Sequence, residues 1–96
     1  MSAYIIVRVT VTDWDRYKEY TKLTPATIEK FGGRFIVRGG QTATLEGPEP
    51  TERIVLIEFP SLERAKEWYH SKEYGEAKKK REGSATASLI AVEGVS

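Results

Sequence analysis

The sequence predicts an α+β domain whose elements follow one another in the order β-α-β-β-α-β, the split βαβ arrangement. Two runs rich in β-branched residues, "AYIIVRVTV" and "RIVLIEF", are typical of buried strands. Each run is followed by a residue that can cap a helix, and apolar residues at helical spacing come next. The length suits one domain over residues 1–96, without low-complexity tracts.

The first run predicts a strand that ends near Asp13, a residue well suited to cap the following helix. The helix carries one stripe of inward-facing residues, formed by Tyr17, Thr24, Ile28 and Phe31. Pro25 lies within this helix and predicts a kink or a break near Thr24. Proline cannot donate a helix hydrogen bond, and it disfavours helix at the residue before it.

The segment "FGGRFIVRGG" places two Gly-Gly pairs around a short strand pattern. We interpret Gly32 and Gly33 as a helix stop, because a phosphate-binding loop needs the opposite order of strand, glycines and helix. The residues between the pairs alternate as a strand does. Gly39 and Gly40 predict a bend or bulge, after which "QTATLEG" continues as an edge segment.

The second half of the chain begins with the turn "GPEPT" and the strand "RIVLIEF". Ser61 can cap a second helix, and a further short helix is predicted to open at Ser71. One face of the second helix carries Leu62, Ala65, Trp68 and Tyr69. The tail "SATASLIAVEG" predicts the last strand. Elements in this order form a ferredoxin-like domain with an antiparallel sheet.

The predicted sheet is apolar on both faces, although two helices can cover only one. Val55 and Ile57 of the third strand form one face, while Ile54 and Leu56 form the other, and the first strand repeats the pattern. An apolar patch on a small domain usually marks association. We therefore expect a homodimer that joins through the sheet face.

The same order of elements also occurs in the RNA recognition motif, which stacks bases on aromatic residues of its third strand. Ile54 and Leu56 occupy those positions here, and aliphatic side chains offer no stacking platform. The net charge of +1 also gives no long-range attraction for nucleic acid. The basic run "KKKR", residues 78–81, is interpreted as a solvated helix end, so RNA binding is the weaker alternative.

Five short segments taken together resemble the family catalogued as domain of unknown function 1330. They are "FGGRFIVRGG", "LEG", "EFPS", "WYHSKEY" and the closing "VEG". The resemblance covers nearly the whole chain in order and spacing. It implies a ferredoxin-like fold of the dimeric α+β barrel group, whose relatives include small antibiotic-biosynthesis monooxygenases and muconolactone isomerases. The family has no assigned reaction, so the resemblance implies no catalytic residue.

Strand alternation predicts that Arg8, Arg38 and Glu58 project toward the partner sheet. A buried arginine needs an acceptor. These three residues can form an ion network within the interface, or they can hold a carboxylate or enolate ligand. Both interpretations remain open at this point.

Aromatic residues are concentrated on the predicted helices, where they can fill the core or line a pocket for a flat organic molecule. Tyr17, Trp68 and Tyr74 are the residues we select for such a pocket. His70 is the only histidine and is predicted at an exposed helix end, with a catalytic role as the alternative. No metal site is expected, because the chain lacks cysteine and a second histidine.

We expect a protein that binds, and in an enzymatic version transforms, a small anionic or aromatic molecule without a permanent cofactor. In that version Arg38 holds an anionic group, assisted by Arg8, while Trp68 and Tyr17 contact the ring. Glu58, Tyr74 or His70 then moves a proton. The alternative is a non-catalytic dimer that senses a ligand or serves as an interaction module. No membrane span or signal peptide is evident, so a cytoplasmic location is expected.

Overall fold

A computed structural model describes residues 1–95, which form four strands and three helices. The elements are β1 (Ala3–Val11), α1 (Trp14–Lys30), β2 (Arg34–Arg38), β3 (Arg53–Phe59), α2 (Leu62–Tyr69), α3 (Lys72–Arg81) and β4 (Ala85–Glu93). Asp13, Ser61 and Ser71 cap the three helices, each accepting a bond from the backbone N–H three residues later. The predicted ferredoxin-like order and the further helix opening at Ser71 are both confirmed.

The four strands form one antiparallel sheet in the order β2-β3-β1-β4. The helices cover one face, where alternate residues of β1 and β3 meet the buried side chains of Trp68 and Tyr74. The buried strand residues are Ala3, Ile5, Val7, Val9, Val55, Ile57 and Phe59. Within residues 1–95 no helix is long and apolar enough to cross a membrane.

The opposite sheet face, here called the open face, carries no helix. Its apolar residues are Tyr4, Ile6, Val37, Ile54, Leu56, Ile90 and Val92. Ile90 is 63% exposed and Val92 44% exposed. The predicted placement of Ile54 and Leu56 on this face is confirmed, because both alternate with the buried residues of β3.

Helix α1 runs through Pro25 without interruption, so of the predicted kink or break near Thr24 the break is wrong. The helix buries Tyr17, Thr24, Thr27 and Ile28 against the rest of the domain. Tertiary packing of this face on both sides of the proline outweighs the unfavourable local preference.

The segment after Gly39 forms no strand, so the prediction of an edge segment at "QTATLEG" is also wrong. Residues 39–52 are a loop. Arg38 pairs with Val55, and β3 begins only two residues before Val55, at Arg53. Strand β3 therefore offers almost no further backbone for β2 to pair with, and Gly39 turns the chain away with a φ of +70°.

The first glycine pair ends α1, as predicted. Gly32 has a φ of +79°, and the Gly33 N–H donates to the Ile28 carbonyl oxygen at 2.9 Å. At Gly33 the constraint is space, since an added Cβ would lie 2.6 Å from a Phe59 ring carbon and 2.8 Å from an Ile28 methyl carbon.

Replacing Gly33 with alanine is expected to lower the free energy of unfolding by about 1–3 kcal/mol, because the new methyl group overpacks the core. Gly40→Ala is the matched control, since a Cβ there meets nothing within 4 Å. Urea unfolding of the two variants measures the difference. Equal stability of the two variants would contradict the close contact at Gly33.

Candidate functional site

A cleft lies between α1 and the helix-covered face of the sheet, and we call it the α1 cleft. Its lining residues are Val7, Tyr17, Tyr20, Thr21, Thr24, Ile28, Phe35, Arg38, Arg53, Val55, Ile57, Trp68 and Leu89. The empty volume is about 380 Å³ including the open mouth, but only about 30 Å³ can hold the centre of a water molecule. The α1 cleft is therefore a narrow, mainly apolar slot with two arginines.

Arg38 lies on the helix side of the sheet, so the prediction that it faces a partner sheet is wrong. A register shift between Phe35 and Val37 breaks the simple alternation of β2. The shift sets Arg38 opposite Val55, a core residue. Its guanidinium carbon lies 4.3 Å from the centre of the Phe35 ring. Arg38 also donates from Nη2 to the Thr21 carbonyl oxygen at 3.0 Å.

Arg53 is the second cation of the α1 cleft and was not selected from the sequence. It pairs with Val9 in the row of β3 residues that face the helices. Its guanidinium carbon lies 5.9 Å from the Trp14 ring centre, and its Nη2 is 3.4 Å from the Arg38 carbonyl oxygen. The alternation of "RIVLIEF" places Arg53 on the same face as Val55, so this pattern could have identified Arg53 as a candidate cleft residue.

Neither Arg38 nor Arg53 forms an ion pair with a carboxylate within residues 1–95. Each contacts a carbonyl oxygen and an aromatic ring instead. Two cations at one apolar cleft repel each other where water is partly excluded. The arrangement therefore favours an anion beside them.

Trp68 and Tyr17, two of the residues predicted for a ligand pocket, both line the α1 cleft. Trp68 is fully buried, and its indole N–H donates to Thr27 Oγ1 at 3.1 Å. Thr27 Oγ1 in turn donates a hydrogen bond to the Thr24 carbonyl oxygen at 2.8 Å. The polar atom of the indole is thus satisfied, which fixes the ring as a rigid wall.

Tyr74 lies in the core behind Trp68 and does not line the α1 cleft. Their ring centres are 4.1 Å apart. The Tyr74 hydroxyl is 2.8 Å from that of Tyr20 and accepts from Arg81 Nη1 at 3.3 Å. Burial raises the pKa of both phenols above the ordinary tyrosine value, so both remain neutral at physiological pH.

The basic run 78–81 is only partly solvated. Lys78 donates from Nζ to the Tyr69 hydroxyl at 3.1 Å, and Arg81 contacts Tyr74. The interpretation of the whole run as a solvated helix end is therefore wrong for these two residues, because they hydrogen-bond to phenols of the aromatic cluster.

Glu58 and Arg8 lie on the open face, apart from Arg38. Arg34 donates from Nε to Glu58 Oε1 at 2.8 Å, and this hydrogen bond lowers the pKa of Glu58. The Tyr4 hydroxyl donates a hydrogen bond to Glu58 Oε2 at 3.4 Å. Arg8 pairs with Ile54, four positions along β3 from Glu58. The predicted cluster of Arg8, Arg38 and Glu58 is not formed within one chain.

His70 is exposed at the end of α2, as predicted. Its ring centre is 5.3 Å from that of Tyr69. It lines a separate groove with Lys66, Leu89 and Ala91, in which about 170 Å³ can hold the centre of a water molecule. Across residues 1–95, no three His, Asp or Glu side chains come together as a metal site.

Comparison with known proteins shows a family and a fold. The family described as "Domain of unknown function (DUF1330)" matches residues 2–95. A search of curated proteins found no significant match. Among solved structures, a protein of unknown function from Rhodopseudomonas palustris has a TM-score of 0.79 at 19% identity, over 99% of this chain and 83% of that one.

Two further solved structures are similar in fold. SnoaB, a cofactor-independent oxygenase from Streptomyces nogalater, has a TM-score of 0.69 at 10% identity, over 99% of this chain and 94% of that one. A dimeric protein of unknown function with a ferredoxin-like fold, from Bacteroides fragilis, has a TM-score of 0.58 at 17% identity, over 97% of this chain and 96% of that one. At such identities the likeness concerns the fold alone.

Ionisation of the Tyr20 and Tyr74 phenols is expected to destabilise the fold in alkali. Because burial raises the pKa of both phenols, the folded protein binds their protons more tightly than the unfolded chain does. Their contribution is therefore complete below the unfolded pKa of about 10 and is lost as pH rises toward the folded pKa, by about 1.4 kcal/mol per pH unit for each phenol. Tyr20→Phe removes one titrating group and should make the decline shallower. Urea unfolding between pH 9 and about pH 11 tests this, and parallel declines would contradict it.

Proposed function

This chain belongs to the DUF1330 family, and we propose that it is a homodimer that binds a small anionic aromatic molecule in the α1 cleft. The observation that supports this proposal is that two arginines, Arg38 and Arg53, lie at one cleft beside an aromatic wall. Neither has a carboxylate partner in residues 1–95. The guanidinium groups would hold the anion, and Tyr17 and Trp68 would contact the ring.

The shape of the α1 cleft favours a flat ligand. Organic molecules usually occupy pockets of about 300–1,000 Å³, whereas only about 30 Å³ of the narrow slot can hold the centre of a water molecule. A ring therefore enters when the side chains of the two walls separate. The anionic group would stay near the mouth, since Arg38 is exposed while Trp68 is fully buried.

The chemistry of the α1 cleft favours binding over acid–base catalysis. Its lining contains hydroxyl groups and two arginines but no carboxylate or imidazole. Glu58, Tyr74 and His70 lie elsewhere, on the open face, in the core and at the second groove. Any transformation would then rely on the reactivity of the ligand itself, with Arg38 and Arg53 stabilising negative charge.

A second candidate function is oxygenation without a permanent cofactor, the activity named for SnoaB. The similarity in fold over nearly both whole chains favours it. The binding proposal remains the better supported of the two, since it rests on side chains of this chain.

The homodimer is proposed from the open face. On that face Val37, Ile90 and Val92 are exposed, and the apolar side chains of β1 and β3 beside them are partly buried. Together they form a continuous patch, and such patches mark association. The Bacteroides fragilis protein with the same fold is dimeric. Stacking two open faces would cover both patches and enclose the Arg34–Glu58 pair of each protomer.

Native mass spectrometry of freshly purified protein tests both parts of the proposal. We expect a dimer that carries an extra mass, which is lost on denaturation. A monomer would overturn the dimer. A bare dimer that also fails to bind any organic anion would overturn the ligand site.

Leu56→Lys is expected to convert the dimer to monomer, because it buries a charge in the centre of the proposed interface. Leu23→Lys is the control, since Leu23 is a partly exposed apolar residue on α1, away from the sheet. Analytical ultracentrifugation gives the mass of each variant. The open-face assignment fails if Leu56→Lys remains a dimer.

Arg38→Met and Arg53→Met are each expected to weaken binding of 4-hydroxybenzoate by about 10–100-fold, since each removes a charged hydrogen bond to the carboxylate. The neutral isostere 4-hydroxybenzamide should bind weakly and be little affected. Lys22→Met is the control, because it removes a positive charge from α1 at an exposed position that pairs only with Glu19 on the same helix. Isothermal titration gives the affinities, and an equal loss in Lys22→Met would contradict the assignment.

A further inference from the structure

A proline inside α1 leaves one helix carbonyl without its usual partner. The carbonyl oxygen of residue i normally accepts from the N–H of residue i+4. Residue 25 is proline and has no N–H, so the Thr21 carbonyl receives no helix hydrogen bond from that position. Thr21 also lines the α1 cleft. The free acceptor therefore lies at the proposed ligand site.

Two side chains approach this carbonyl oxygen. The Arg38 guanidinium donates to it from Nη2 at 3.0 Å. The Thr24 hydroxyl lies 3.5 Å away, at the limit of a hydrogen bond. Arg38 is thus the main donor that replaces the missing backbone N–H.

The same bond fixes where the arginine lies. Arg38 is an exposed residue at the end of an edge strand, where a long side chain is otherwise free to rotate. The Thr21 oxygen holds one edge of the guanidinium, and the Phe35 ring supports its face at 4.3 Å. A guanidinium has five N–H donors. The donors that Thr21 does not use remain for a ligand.

We propose that Pro25 is a positioning residue for the ligand site: by leaving the Thr21 carbonyl free, it holds Arg38 ready to bind a carboxylate together with Arg53. This inference rests on the proposed function. It narrows the ligand to an aromatic carboxylate, whose flat oxygen pair matches the planar fork of an arginine. It also explains why the helix contains a residue that is so unfavourable in a helix interior.

Pro25→Ala separates this role from a purely structural one. Alanine restores the N–H to the Thr21 carbonyl, which improves the helix and competes with Arg38 for the acceptor. We expect the melting temperature to rise by several degrees while the affinity for 4-hydroxybenzoate falls about tenfold. The affinity for 4-hydroxybenzamide should not change. The double variant Pro25→Ala/Arg38→Met should bind no more weakly than Arg38→Met alone.

Gly75→Ala is the matched control for the gain in stability. Gly75 lies in α3, and an added Cβ there meets nothing within 4 Å. This substitution should raise the melting temperature and leave the affinity for 4-hydroxybenzoate unchanged. A rise in stability without a loss of affinity in Pro25→Ala would show that Arg38 merely satisfies the carbonyl, and would overturn the inference.

A measurement made without ligand tests the positioning role of Pro25 separately from the proposed function. Arginine side-chain NMR reports the rotation of the Arg38 guanidinium. We expect slow rotation in the wild type and fast rotation in Pro25→Ala. Equal rotation in both overturns the positioning role, whatever binds. Absence of binding by the carboxylate and the amide to wild type, with the difference in rotation intact, overturns the proposed function instead.

Discussion

The candidate site depends on the register of one strand pair. Between Phe35 and Val37 the pairing of β2 with β3 shifts, and the residues after the shift change faces. Arg38 then points toward the helices, where it meets α1, while Val37 joins the open face. Without the shift, strict alternation would place Arg34 and Arg38 on one face. A single irregularity in an edge strand thus gives the α1 cleft one of its two cations.

The point at which the chain leaves the sheet after β2 also follows from this register. Strand β2 ends where β3 begins, and Gly39 turns away with a positive φ. An added Cβ at Gly39 would lie 2.2 Å from Arg53 Nε, so the glycine leaves room for that side chain. Gly39 of the second Gly-Gly pair therefore serves the architecture beside the site, while a Cβ at Gly40 would meet nothing within 4 Å.

Local pattern was sufficient for the elements and for their order. Strand periodicity correctly placed Ile54 and Leu56 on the open face, and capping residues marked the starts of all three helices. It failed where tertiary structure overrides local preference. Packing keeps α1 continuous through Pro25, and the five residues of β2 contain no pattern that reveals the bulge.

Only some residues of the candidate site could be predicted from the sequence, for the same reason. Helical spacing indicates which residues turn inward, and Tyr17 and Trp68 do line the α1 cleft. Tyr74 turned out to be core, since the spacing does not distinguish a cleft wall from the layer behind it. Strand alternation places Arg53 in the helix-facing row of β3, but it does not show that this end of the row borders a cleft.

Strand β3 connects the two proposed activities of the domain. Its helix-facing row carries Arg53 and the wall residues Val55 and Ile57, and its open-face row carries Leu56 and Glu58. Because the strand is packed between β1 and β2, neither row can move alone. A ligand that separated the walls of the α1 cleft would act on α1 more readily than on this central strand. In the proposed dimer the open faces would then stay paired while the α1 cleft opens, so ligand entry would be separate from dimer assembly.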